Sequence, residues 1–408
     1  MKHWVLFAIG FAVRVALLLA THEYRDLSRF ELQRTAYSLA TTGVFGNPYA
    51  VETGPTAHVS PGYPLILAGI YRVFGAGERG ELVKEVLASA VSALGWAMLP
   101  AAAAALGMPP TAGLAAGLIG AVLPLKLSVE TKGDWEAPYS ALAVMWTTCI
   151  TAGLWRRRTY SAAEALKSGA AWGVSLLFCG ALMPELFVFG AVGLLQGVSW
   201  RYLRFAALQM AAAAALLSPW VIRNEMSLGE PIATRSNLGL ELRLSNNNLA
   251  GPLERDNYVN GVYHRYHPLQ SVQQAERVRA LGEPAYNREA AREALRWMRA
   301  HPNRFAELTA QRVLYFWFQP IPGQTAKAVW LGSMALFGFA GLCLFLRQNV
   351  WAALPLGLYM LILPLPSYLI HVGLRHRSPL DWMLVLLTVY AVIWIMRPWL
   401  RQSTRLPQ

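Results

Sequence analysis

The chain has 408 residues, of which 55% are hydrophobic and 14% charged, where an ordinary soluble domain is about a quarter charged. A single core stops growing at roughly 250–300 residues, so the surplus apolar side chains must face lipid; a disordered chain, a coiled coil and a typical water-soluble enzyme are excluded. The formal net charge of +13 fits arginines gathered in cytoplasmic loops and beside lipid headgroups, and nucleic acid is not an expected partner.

Lys2 precedes an apolar run from Trp4 to Ala20. It is long for a signal-peptide core, is interrupted by Arg14 and lacks a good small-x-small cleavage site, so it reads as a retained signal-anchor helix. Apolar runs of helical length suggest about ten spans, near 4–20, 82–106, 110–127, 136–155, 166–183, 185–199, 204–221, 327–346, 350–370 and 379–397. With Lys2 in the cytoplasm, the turns returning to that side should be basic. They carry Arg156, Arg157 and Arg158, then Arg201 and Arg204, then Arg347, then Arg397, Arg401 and Arg405, while the turn at Gly107–Pro110 is uncharged. Both termini are therefore expected in the cytoplasm. Cys149, Cys179 and Cys343 sit in apolar runs and are expected to be free, buried thiols, with no disulfide framework or CxxC pair.

This layout divides the chain into an N-terminal transmembrane bundle (1–221, including an outer loop at 21–79), an extracytoplasmic segment (222–326) and C-terminal transmembrane helices (327–408). Long connections tend to be functional. The first carries Asp26, Glu31, Arg34 and His58, side chains that are costly near a bilayer and usually serve a site. Glu31 precedes the helical run Leu32–Thr42, which Gly43 is expected to cap. Its carboxylate either steadies the first turn through the helix dipole or acts as a general base. The Pro- and Gly-rich stretch Gly54–Pro64 is either a connector or a rigid wall presenting His58 and Tyr63 to a substrate. The run Pro61–Phe74 is too short for a span and would reverse every later loop, so it reads as a helix lying in the outer interface.

The turn Lys132–Glu136 and the Pro184-Glu185 pair are candidates to face the same cavity. In the second segment, Arg223 and Arg235 suit a phosphate through charge-assisted bonds. Asn224, Asn237, Glu241 and the run Ser245–Asn248 offer polar groups for sugar hydroxyls. An amphipathic helical run, Tyr286 to Arg299, ends at His301-Pro302, and a second run follows from Asn303 to Phe316 with Pro302 in its first turn. His264 and His267 form an HxxH without a surrounding HExxH, so no metal is expected there. Arg375 and Arg377 lie on the outer side between two spans, against the positive-inside bias, and a bound lipid phosphate would account for them. No P-loop or GxGxxG is present, so an enzyme of this kind needs a donor already attached to lipid.

These residues, in this order, resemble the bacterial GT-C glycosyltransferases of the dolichyl-phosphate-mannose–protein mannosyltransferase type, family 39 and its aminoarabinose-transferase relatives. The stretches that carry the resemblance are Glu31 ahead of Ser38–Tyr49, then Gly54–Ala68, Pro219–Asn224, Arg235–Leu242, Gly282–Tyr286 and Arg375–Asp381. The similarity covers nearly the whole chain, and the order and spacing of the motifs are more specific than any one of them. It implies an all-α polytopic membrane protein, a GT-C-like bundle whose first outer loop carries interfacial helices and whose second outer segment is mainly helical. It also implies an enzyme of a bacterial inner membrane that moves a sugar from a polyprenyl-phosphate donor to a glycan, lipid or protein acceptor. In the family an acid of the first loop is the base and arginines hold the lipid phosphate. Glu31 matches that acid. Many members carry paired acids where this chain has Glu31 alone with Asp26 several residues upstream, so Asp26 is the other candidate. No cofactor is required, and a divalent metal would depend on such a pair. The rival readings are another polyprenyl-linked polymerase or ligase, and a lipid or solute transporter; the second would favour paired repeats, and none is seen.

Overall fold

The structure is a computed structural model that describes residues 3–123 and 130–403. Lys2 and Arg405 of the charge pattern lie outside the described residues. Helices are the regular structure of the described chain, and pairing of extended backbone is limited there to two isolated bridges. Among the described residues six helical stretches are long and apolar enough to cross a membrane: His3–Thr21, Glu78–Leu106, Trp200–Leu228, Thr325–Gln348, Val350–Leu369 and Leu374–Met396. The other apolar runs are helical too, as Pro110–Val122, Ala137–Arg157, Ala162–Phe178 and Met183–Gly193.

Local chemistry sets the boundaries. Ser161 and Ser199 accept the backbone N–H groups of Glu164 and Tyr202, each at 3.2 Å, and so cap the helices that follow them. Small residues let the bundle close. A Cβ on Gly120 would meet the Trp96 ring at 2.0 Å, and one on Gly113 the Leu99 carbonyl at 2.6 Å, the close backbone approach typical of membrane helix pairs. Arg14 is fully buried in the first helix. Its guanidinium pairs with Glu130 and donates to Ser92 Oγ at 3.0 Å and to the Gly120 carbonyl at 3.0 Å. The three cysteines are free, and Cys179 is buried as expected; Cys149 is only partly buried and Cys343 is exposed, against expectation. Cys343 sits beside Leu342 on a helix whose buried face is Gly338, Gly341, Leu342 and Phe345, and it points away from that face.

At one pole the two long polar segments pack together. The Glu31–Thr42 helix ends at Gly43, whose φ of 77° suits glycine, and it packs on the Gly62–Phe74 helix. In the second segment Leu238–Ser245 packs on Glu283–Ala300, and Pro302 opens the next helix, Pro302–Trp317. The seam between the segments is polar: Glu283 accepts from Ala57 N at 2.8 Å, Ser236 Oγ at 2.5 Å and the Thr56 hydroxyl.

Candidate functional site

The pole contains two neighbouring arrangements of charge. The first is closed. Glu31 stands in the first turn of its helix, 5% exposed, with its carboxylate 3.0 Å from His267 Nε2. The Leu269 N–H donates to His267 Nδ1 at 3.1 Å, which leaves Nε2 to carry the ring proton toward Glu31. His58 lies behind this pair, its ring 6.4 Å from that of His267, and its Nδ1 is 2.9 Å from the Tyr49 hydroxyl. Burial pushes the Glu31 carboxyl up; the His267 imidazole in front of it, with His58 behind, reverses this and holds it below the usual carboxylate range. Burial holds His58 low. The same packing continues through stacked rings, His267 on Tyr263 at 5.3 Å and Tyr263 on Tyr258 at 3.9 Å.

The second arrangement is open. A cleft of about 340 Å³ lies between the first loop, the turn at Lys132–Trp135, the segment around Glu254 and the start of the last apolar helix. Asp26 enters its wall because the chain leaves the first helix through a short turn, Glu23–Arg25, and Asp26 N–H closes on the Glu23 carbonyl at 2.9 Å. The Asp26 carboxylate accepts the Ser28 N–H at 2.9 Å, a turn closed by an aspartate side chain. That backbone bond, with Lys132 and Lys84 nearby, holds the carboxyl below its ordinary value, and the residue stays exposed. Across the cleft, Val372 N–H donates to the Pro252 carbonyl at 2.9 Å and Glu254 N–H to the Val372 carbonyl at 3.0 Å. This bridge brings Glu254 against Arg375, whose Nη1 lies 2.5 and 2.7 Å from the two carboxylate oxygens. The Arg375 guanidinium stacks 4.0 Å from the Trp135 ring, and Trp135 leans on Phe30 at 5.5 Å. Lys84 pairs with Asp134 at 2.9 Å and Glu81 at 2.6 Å, and Lys132 reaches Glu23 at 3.7 Å.

The structure thus brings Asp26 and Arg375 to one cleft, with the Lys132–Glu136 turn beside them. Glu31 and His58 sit in the layer behind, one residue past Phe30, which is itself in the wall. Tyr63 is buried and donates to the Gly133 carbonyl. Arg223 gives its donors to the carbonyls of Thr56 (2.7 Å) and Phe45 and to Asn224 Oδ1 (2.9 Å), between the rings of Phe45 and Trp220. Asn224 donates to the Ile232 carbonyl at 2.8 Å. Arg235 lies 3.8 Å from Glu136, and Asn237 donates to Glu241 at 3.3 Å. Arg377 faces Asp381 at 3.0 Å and the Trp317 carbonyl at 2.7 Å. Glu185 is fully buried and does not line the cleft. Glu254, Arg255 and Lys84 are cleft residues that sequence reading did not single out; Lys84 reads as part of a span, and Glu254-Arg255 carry no recognisable spacing. Among the described residues no group of three His, Cys, Asp or Glu side chains could hold a metal ion.

No known family profile matches the chain, and no curated protein does. Solved structures do match. The Archaeoglobus fulgidus oligosaccharyltransferase in complex with Zn and sulfate superposes with a TM-score of 0.55 at 13% identity, over 97% of this chain and 49% of that one. The archaeal oligosaccharyltransferase AglB of the same organism, in complex with an inhibitory peptide and a dolichol-phosphate, gives 0.53 at 12% identity, over 100% and 52%. The apo form of the A. fulgidus enzyme gives 0.56 at 13%, over 98% and 52%. The chain spans about half the length of these structures, and what it shares with them is the all-helical GT-C membrane fold.

Proposed function

We propose that the protein is a membrane glycosyltransferase that moves a sugar from a polyprenyl-phosphate-linked donor to an acceptor at the extracytoplasmic face of a bacterial inner membrane, with both termini in the cytoplasm. In this reading it is a relative of the family 39 and aminoarabinose transferases. The observation that carries the proposal is the cleft at the pole of the bundle, where Asp26 stands exposed opposite Arg375. A cleft lined by carboxylates and by Lys84, Lys132, Arg255 and Arg375, next to helices that would enter lipid, suits a substrate with a sugar between an acceptor hydroxyl and a lipid phosphate. The archaeal neighbour solved with a dolichol-phosphate supports a lipid phosphate as the donor's carrier.

The reaction is a single displacement. The acceptor oxygen bonds to the anomeric carbon as its proton passes to a carboxylate of the first loop, and the bond from the anomeric carbon to the phosphate oxygen breaks. The polyprenyl phosphate leaves with its charge facing cations of the cleft wall. Asp26 is the exposed carboxylate of the first loop's link that lines the cleft without an ion pair among the described residues, and it is the base in this reading; Glu31, hydrogen-bonded to His267, holds the loop in place. His58, Tyr63, Arg223, Asn224, Arg235, Asn237, Glu241 and Arg377, none of which lines the cleft, then hold the surrounding structure rather than the reacting centre.

The test is mass spectrometry of lipid-linked sugars and surface glycans with and without the gene, complemented by wild type, Asp26→Asn and Glu31→Gln at matched expression. The expected result is a lipid-linked sugar that accumulates without the gene, a glycan short of one sugar, and no rescue by Asp26→Asn. Loss of a whole glycan block would point to a polymerase or ligase. No change in either pool would remove the transferase reading, and full rescue by Asp26→Asn with none by Glu31→Gln would move the base to Glu31.

A further inference from the structure

One carboxylate of the cleft wall is buried and unanswered. Glu85 stands about two turns into the Glu78–Ala97 helix, lines the cleft and is 3% exposed. Among the described residues its carboxylate makes no ion pair and accepts no hydrogen bond. Lys84, its neighbour in sequence, gives its ammonium to other groups. One is Asp134 at 2.9 Å, which also accepts from Gln33 Nε2 at 3.1 Å. The other is Glu81 at 2.6 Å, which also accepts from the Tyr71 hydroxyl at 2.7 Å. These bonds fix the rotation of the helix, and with it the direction of Glu85. One turn further along, on the same helix face, Ser89 is fully buried and its hydroxyl has no partner among the described residues.

We infer that Glu85 is a specificity-determining residue that accepts hydrogen bonds from hydroxyl groups of the transferred sugar, an assignment that rests on the transferase reading above. A carboxylate has two oxygens and room for about four donors, and leaving them unfilled in a buried place is costly. Charge is not what the cleft lacks, because its five carboxylates stand against four cations. What Glu85 lacks is donors, and a sugar ring supplies them as neighbouring hydroxyls that the two oxygens of one carboxylate can span. A site built to bond a hydroxyl rejects the analogue that misplaces it, since the buried acceptor is then left unpaired. Sugars of one size differ chiefly in the orientation of their hydroxyls, so this carboxylate selects among epimers. The two acids of the cleft divide the work by what carries them. Glu85 is held on a rigid helix, which suits the recognition of a fixed shape, whereas Asp26 stands in an exposed link.

The experiment uses the full chain in nanodiscs and measures the binding of a bare polyprenyl phosphate and of its mannosyl, glucosyl, galactosyl and arabinosyl forms. Wild type is expected to bind one of the sugar-linked probes about tenfold or more tighter than the bare lipid and than the other sugars. Glu85→Ala should erase that preference and leave the affinity for the bare lipid unchanged, and Glu85→Gln should keep part of it. Both variants remove an unpaired buried charge, so the unfolding temperature of Glu85→Gln should equal or exceed that of wild type. A sugar preference that survives both variants overturns the inference and leaves the transferase reading standing, as does a wild type that binds the bare lipid and gains nothing from any of the sugars. A lower unfolding temperature in Glu85→Gln with the preference intact would make the carboxylate a structural one and also overturn the inference. A wild type that binds none of the probes, the bare lipid included, strikes the transferase reading itself and the inference with it.

Discussion

Asp26 and Glu31 lie five positions apart in the same loop, yet the fold treats them oppositely. Glu31 is 5% exposed and faces an imidazole; Asp26 is exposed, held by one backbone N–H, and open to the cleft. The difference comes from what each segment packs against. The Glu31–Thr42 helix is clamped between the Gly62–Phe74 helix and the second polar segment, whereas Asp26 sits in the short link before that helix, where only the cleft borders it. Chemistry needs a carboxylate that can meet a substrate, and architecture needs one that cannot. A carboxylate buried without a partner would be costly, so the closed site carries its own imidazole.

The sharpest way to break this contrast is Asp26→Asn. It should lower sugar transfer by about 10²–10⁴-fold while leaving the thermal unfolding temperature unchanged, since general base catalysis typically contributes that much; a transfer assay in membranes reads it. The converse change is His267→Ala. It leaves the buried Glu31 without its partner and should cost about 3–5 kcal/mol of stability, seen as a lower unfolding temperature of the purified protein in detergent. A smaller effect concerns pH. Burial pushes the Glu254 carboxyl up, and Arg375, with the histidines nearby, brings it from 4.5 to about 2. A group whose folded value lies below its unfolded one contributes stability above the unfolded value and loses it as the pH falls through the folded one. The unfolding temperature should therefore drop between about pH 4.5 and 2, and Glu254→Gln should flatten that slope. The smallest effect should come from Gly43→Ala. At a φ of 77° with open space around it, an alanine should cost about 1 kcal/mol and leave transfer untouched, a control that separates loop stability from chemistry.

Much of the architecture is legible in the sequence because apolar runs of span length must be helices in lipid. The runs at 4–20, 82–106 and 327–346 fall on His3–Thr21, Glu78–Leu106 and Thr325–Gln348. Gly43 and Pro302 mark helix ends through backbone preferences that need no partner. The candidate site was legible only in outline. Arg223 and Arg377 have the right residue type in the right segments, yet their donors meet backbone carbonyls and Asp381. A guanidinium's chemistry depends on what faces it, and spacing along the chain does not report that. Lys84 shows the same limit from the other side, for a charge at the edge of an apolar run reads as a boundary residue until Asp134 is seen against it.

What the sequence determined by itself was the kind of molecule: helices bound for lipid, two polar segments at one pole and a surplus of basic side chains. These follow from hydropathy and backbone preference, which act over a few residues. Which carboxylate is sealed and which is open were decided only when segments more than 200 residues apart met, as Glu31 meets His267 and Asp26 shares a cleft with Arg255. Burial and pairing are properties of neighbours in space, and they alone set the reactivity of an ionisable group.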